Sequence, residues 1–268
     1  MPYIRLQEGF QLYGELEGEG PPLLLLEGKG YALWMWEELR PLLSASFRLI
    51  LYDHRGIGRS ERGPLPFSLK DLARDGIQVL DALGVERAHV LGVSMGGMVA
   101  QEMALSYPSR VEKLILACTH PGGSCAYPTP PETIAHLSFS PEGLSLEEIL
   151  RRQMEVAFAP VWTAAHPEAF SRWIARRKGW VPPSEVLRAQ DEAIAGFDAC
   201  RRLPSLKAPT LILSGTEDRV VPYRNSQLLA QAIPGARLQL FPGGGHLFFL
   251  EEGPQFAKAI KEFLREEA

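Results

Sequence analysis

The chain has 268 residues, 46% of them hydrophobic and 22% charged, a globular composition long enough to bury a sizeable core. Its formal net charge of -4, with acids and bases intermixed, excludes a basic stripe for nucleic acid and a polybasic membrane anchor, so the expected partner is a small molecule. The first residues lack a secretory pattern and no apolar run approaches the ~20 residues needed to span a bilayer, which reads as a cytoplasmic protein. Three cysteines without framework spacing predict no disulfide, with Cys118 a buried free thiol. Asn225 is the only asparagine while Arg and Pro are abundant, a usage that suggests heat adaptation, although codon bias gives the same pattern.

In chain order, residues 3–6 and 10–16 read as an antiparallel edge pair. Short aliphatic runs bounded by turn residues follow at 23–26, 47–52, 88–93, 111–118, 210–214 and 237–241, the pattern of buried strands. Over residues 68–83, Leu69, Leu72, Ile77, Leu80 and Leu83 share one helical face, with Ser68 and Asp71 as a capping box and Gly84 at the C-terminal turn. Residues 95–107 form a second predicted helix, stopped by Pro108, and Phe256, Ile260, Phe263 and Leu264 mark the apolar side of a terminal one. Strand and helix alternating in this way imply an α/β fold with a mostly parallel sheet covered by helices on both faces. From residue 121 to 205 the alternation gives way to prolines and helix-like pieces at 144–158 and 168–177. That segment therefore reads as a helical insertion into a core of residues 1–120 and 206–268.

The chemistry is concentrated at strand ends. Gly92, Val93, Ser94, Met95 and Gly96 form a G-x-S-x-G run between a strand and a helix, where a sharp turn lifts the serine clear beside the helix N-terminus. A serine hydroxyl is a weak nucleophile and needs a base. Of six histidines, His89 lies within a strand and His136 and His166 in the insertion. His54 and His120 sit near strand ends, whereas His246 follows the last strand in a glycine-rich turn. Asp218, with Glu217 as competitor, follows another strand and supplies the acid that would orient the imidazole. Ser94, Asp218 and His246 are thus the candidate triad.

These residues, with LYDHRGIGRS at 51–60 and GVSMGGMVAQE at 92–102, make the chain similar to the α/β-hydrolase superfamily over nearly its full length. The likeness is to the subgroup of enol-lactonases, carboxylesterases and aromatic-polyketide methylesterases. It implies an eight-stranded sheet, a helical cap over residues 121–205, and a pocket between them. Members commonly carry His-Gly after the third strand; here the segment is Glu27, Gly28, Lys29, Gly30. By position the Lys29 and Met95 amides would form the oxyanion hole, where one donor is worth roughly 2.7–4 kcal/mol in the transition state.

Glu27 departs from the pattern. Its carboxylate is expected to hold the loop by accepting backbone N–H bonds, the alternative being a negative charge beside the oxyanion. The Lys29 side chain could then compensate that charge or bind a substrate carboxylate. Asp53 and Arg55 are expected to tie backbone together, and the paired arginines 151–152, 176–177 and 201–202 to be solvated faces of cap helices. The resulting expectation is a serine hydrolase of small esters or lactones needing no metal or organic cofactor. Carbon–carbon cleavage of a diketone, a lyase, and a binding module are the alternatives on the same fold.

Overall fold

A computed structural model describes residues 2–138 and 142–266. Its strands are β1 (Tyr3–Arg5), β2 (Gln11–Glu17), β3 (Pro22–Leu26), β4 (Arg48–Tyr52), β5 (Ala88–Val93), β6 (Val111–Ala117), β7 (Thr210–Gly215) and β8 (Arg237–Phe241). They form one sheet in the order β1-β2-β4-β3-β5-β6-β7-β8, in which β1 and β2 run antiparallel to their neighbours and the rest are parallel.

Parallel strands covered on both faces are apolar at most positions, and the alternation shows on which side each residue is used. Leu23, Leu25, Leu49, Leu51, Leu91 and Val93 pack into one core layer, while Leu24, Leu26, Ile50, Tyr52 and Val90 pack into the other. Among the helices on the sheet, α1 (Arg40–Ser44) and α11 (Gly253–Arg265) contact each other on one side; α2 (Leu69–Ala82) and α3 (Met95–Ser106) pack together on the other. The predicted capping box of α2 is present: the Asp71 amide donates to Ser68 Oγ at 3.3 Å and the Ser68 amide to Asp71 Oδ2 at 2.8 Å. Such caps contribute about 1 kcal/mol.

Between β6 and β7 the chain leaves the sheet and forms α4 (Pro131–Leu137), α5 (Leu146–Glu155), α6 (Pro160–Ala165), α7 (Pro167–Lys178) and α8 (Ser184–Ala195). The chain closes with α9 (Arg224–Ala232) after β7, and α10 (Phe248–Glu251) before α11. No helix among the described residues is long and apolar enough to cross a membrane.

The expectation of no disulfide is overturned. Cys125 and Cys200 are bonded, 75 residues apart in sequence, while Cys118 is buried and free as expected. Their spacing carries no signal because the pairing depends on how the excursion begins and ends. The Ala199 amide donates to the Pro121 carbonyl at 2.8 Å and the Gly123 amide to the Phe197 carbonyl at 2.9 Å, so the two stems run side by side. Closing a loop of this length removes about 4 kcal/mol of unfolded-state entropy in the chain-entropy description. Cys200→Ser is therefore expected to lower the thermal midpoint by several degrees relative to the oxidised parent. The two proteins should converge once the parent is reduced, as read by calorimetry with and without reductant.

Candidate active site

The turn from β5 into α3 holds Ser94 at φ 54°, ψ −119°, a left-handed conformation costly for a residue with a Cβ. It is held by the Ser94 amide donating to the Ala117 carbonyl at 2.9 Å and by Thr119 Oγ1 donating to the Ser94 carbonyl at 2.7 Å. The glycines are there for approach: a Cβ on Gly92 would land on the Gly96 carbonyl, and one on Gly96 on the Leu26 carbonyl. Because Leu26 pairs with Gly92, the loop leaving β3 runs directly beside the serine. A Cβ on Gly28 would lie 3.4 Å from Ser94 Cβ.

Two further loops meet at this edge. Gly215 of β7 is in register with Phe241 of β8, and the loops beyond are laced by Glu217 N–H to Gly244 O at 2.9 Å and Gly243 N–H to Thr216 Oγ1 at 2.8 Å. This lacing brings His246 Nδ1 to 2.8 Å from Asp218 Oδ2, with both residues buried. Asp218 Oδ1 accepts the Val220 and Val221 amides at 2.9 and 2.8 Å, so both carboxyl oxygens are committed. Glu217, the competing acid, is exposed. Ser94, Met95, Lys29 and His246 line one cavity of about 400 Å³, roofed by residues of α5, α7 and α8, including Met154, Arg177 and Asp191.

The Gly30 amide is taken by Gln190 Oε1 at 2.8 Å and the Tyr31 amide by the Gly28 carbonyl at 3.2 Å. For the Lys29 and Met95 amides no acceptor is found among the described residues. The Lys29 side chain is paired with Asp191 of α8 and is not a free cation.

Of the other histidines, His54 lies edge-on to Tyr52 in the core, and burial pushes it down to about 4. His120 lines the cavity. Its Nδ1 accepts the Gly122 amide at 3.0 Å, which assigns the ring proton to Nε2, and burial together with nearby His246 pushes it down to about 4.

Glu27 is fully buried at the base of the loop. Its oxygens face the Glu27 and His54 amides without closing a hydrogen bond of ordinary geometry, so the expected brace is not formed. Burial, reinforced by Asp53, instead pushes its carboxyl well above the usual carboxylate range. This shift favours the uncharged form of the carboxyl at the base of the loop. Asp53 does tie backbone, accepting Leu33 N–H at 2.7 Å and Arg59 N–H at 2.9 Å. Arg55 differs from expectation and forms a buried two-pronged pair with Asp75 at 2.6 and 2.7 Å.

The expectation of solvated arginine pairs fails at Arg202 and Arg177. Arg202 is clamped on buried Glu102 at 2.6 and 3.0 Å, and Arg177 faces the cavity. A signal for Arg177 was present: it continues the Phe170, Trp173, Ile174 stripe of α7 at helical spacing. No motif in the sequence marks Glu251. It accepts the Gly245 amide at 3.0 Å and the Ala159 amide at 2.7 Å, joining the His246 loop to the chain between α5 and α6.

A profile described as alpha/beta hydrolase fold matches residues 21–253. The chain belongs to the α/β-hydrolase fold family. It is 34% identical over 250 residues to "Putative carbamate hydrolase RutD" of Azorhizobium caulinodans, covering 92% of each chain. Among solved structures, it resembles the enol-lactonase from Burkholderia xenovorans LB400, with a TM-score of 0.84, 27% identity, and coverage of 99% of this chain and 100% of that one. It also resembles the esterase from Exiguobacterium antarcticum, with a TM-score of 0.86, 26% identity, and coverage of 98% and 99%. These relatives make this member of the family a hydrolase.

The buried carboxyl gives a stability prediction. Since the folded-state value of Glu27 lies above its unfolded value, its neutral form contributes fully below the unfolded value, and that contribution is lost as pH rises towards the folded one. Glu27→Gln is isosteric and cannot ionise. Its unfolding midpoint should match the parent near about pH 4 and exceed it near about pH 8 in denaturant titrations. A constant difference across that range would contradict the assignment.

Proposed function

We propose that the protein hydrolyses a small-molecule ester or lactone through an acyl-enzyme formed on Ser94. His246 takes the Ser94 proton and the alkoxide attacks the carbonyl. The oxyanion is held by the Lys29 and Met95 amides, and the protonated imidazole gives its proton to the leaving alcohol. Water, activated by the same imidazole, then releases the acid. The helices between β6 and β7 serve as the cap over the reacting carbonyl.

The observation that carries this reading is the 2.8 Å contact between His246 Nδ1 and Asp218 Oδ2 at a cavity also lined by Ser94. With Nδ1–H engaged by the carboxylate, Nε2 is the free base, and the acid stabilises the imidazolium formed during attack. The amides leading into α3 favour negative charge at the position where the oxyanion would develop. A second reading, hydrolysis of a carbamate by the same residues, is favoured by the name of the 34% identical relative.

A panel of p-nitrophenyl esters, a lactone, an N-alkyl carbamate and a ring-cleavage diketone, with product analysis, separates the substrate classes. Ser94→Ala is expected to lower turnover by up to about 10⁶-fold and to abolish labelling by a fluorophosphonate. Asp218→Asn should lose about 10⁴-fold with the fold intact. Equal turnover in the parent and Ser94→Ala would overturn the proposal.

A further inference from the structure

The charges around the cavity do not balance. Lys29 is matched by Asp191, and Asp218 is committed to His246 and two amides. His120 is neutral at physiological pH, and burial pushes the Glu27 carboxyl towards its uncharged form. Arg177 remains. Among the described residues no carboxylate lies within ion-pair distance of it.

Its placement is nevertheless well determined. The guanidinium stacks 4.4 Å from the centre of the Tyr31 ring, and Nη1 donates to the Gly30 carbonyl, two residues along the loop from Gly28, which touches Ser94. A guanidinium carries five N–H donors in a planar fork, so one backbone carbonyl leaves most of them without an acceptor. Burial pushes Arg177 below the usual arginine value, as expected for a desolvated cation with no counter-ion. Neighbouring Arg176, by contrast, reaches out to Glu37 at 2.8 Å.

A half-buried cation fixed by cation–π and backbone contacts inside a mainly apolar cavity is placed to receive an anion from the ligand. We propose that Arg177 anchors a carboxylate on the acyl side of the substrate, so that the enzyme prefers half-esters of dicarboxylic acids or carboxylated lactones over neutral esters. The proposal rests on the reading of Ser94 as nucleophile. A monoanion fits the count, since among the described residues lining the cavity Arg177 is the one cation lacking an acid. The substrate carboxylate would accept the outer edge of the fork in two parallel N–H···O bonds.

The test compares p-nitrophenyl hydrogen glutarate with p-nitrophenyl pentanoate, an anionic and a neutral ester of matched length. The parent should favour the half-ester in kcat/KM by about tenfold to a hundredfold, the range of a charge-assisted hydrogen bond. Arg177→Gln should collapse that ratio mainly through KM, and Arg177→Lys should restore part of it. Because Arg177 also holds Gly30, a readout on the parent alone is included: glutarate should inhibit competitively about tenfold more strongly than glutaramide. A parent without preference for the half-ester, equal inhibition by the two compounds, or a ratio unchanged in Arg177→Gln would overturn the proposal. Ser94→Ala runs alongside on the neutral ester. Loss there with no anion preference rejects the anchor and keeps the nucleophile, whereas retained activity rejects the nucleophile.

Discussion

The site depends on one close crossing of backbone. β5, α3 and the end of β3 approach so tightly at Gly92 and Gly96 that neither position has room for a methyl group, and Ser94 must adopt φ 54° between them. A single side chain at either glycine would push the helix from the strand, or the elbow from the β3 loop. Both effects would separate the serine from the loop that carries the Lys29 amide. The remaining parts are placed by the sheet. With β3 adjacent to β5 and β7 adjacent to β8, the loop at Glu27–Gly30, the elbow, Asp218 and His246 all emerge at one edge.

Around that crossing the polar groups divide into paired and unpaired. Arg55 with Asp75, Arg202 with Glu102, and Lys29 with Asp191 pair their charges, and Asp218 is satisfied by two amides and an imidazole. Burial pushes the Glu27 carboxyl towards its uncharged form, which lessens the cost of a buried charge. Against this background the bare guanidinium of Arg177 is the exception. Gly30 receives Gln190 on its amide and Arg177 on its carbonyl, so the loop beside Ser94 is gripped from above by α7 and α8. The loop that carries the Lys29 amide is therefore positioned by side chains from outside the sheet.

Much of this was legible in the amino-acid order. The eight strands, the capped α2 and the helix after the elbow followed from local periodicity and turn chemistry, which need no knowledge of distant neighbours. Asp218 and His246 were legible because each follows a strand in a recognisable turn, and they meet as expected. What escaped depended on partners far along the chain. The Cys125–Cys200 bond requires the stems of the excursion to meet. Arg177 reads as a solvated arginine until α7 is docked, although its spacing from Phe170 and Trp173 put it on the buried stripe. Glu27 looked like a brace because carboxylates usually accept amides. Its upward pKa shift follows from complete burial and the proximity of Asp53, neither of which is visible in one dimension.

The paired stems at Pro121–Gly123 and Phe197–Cys200 have a consequence for how this molecule can change over evolutionary time. β6 and β7 are neighbours in the sheet, so the chain departs and returns at almost the same place, and a covalent bond and two backbone hydrogen bonds seal the gap. The helices beyond that seal nonetheless share the core beneath them, since Phe158, Phe170, Trp173 and Ile174 pack in the same layer as Leu23 and Leu213. Lengthening the excursion costs little, since the entropy of closing a longer loop grows only logarithmically, whereas removing its helices would uncover that shared core. This part of the polypeptide can therefore gain chain more readily than it can lose it.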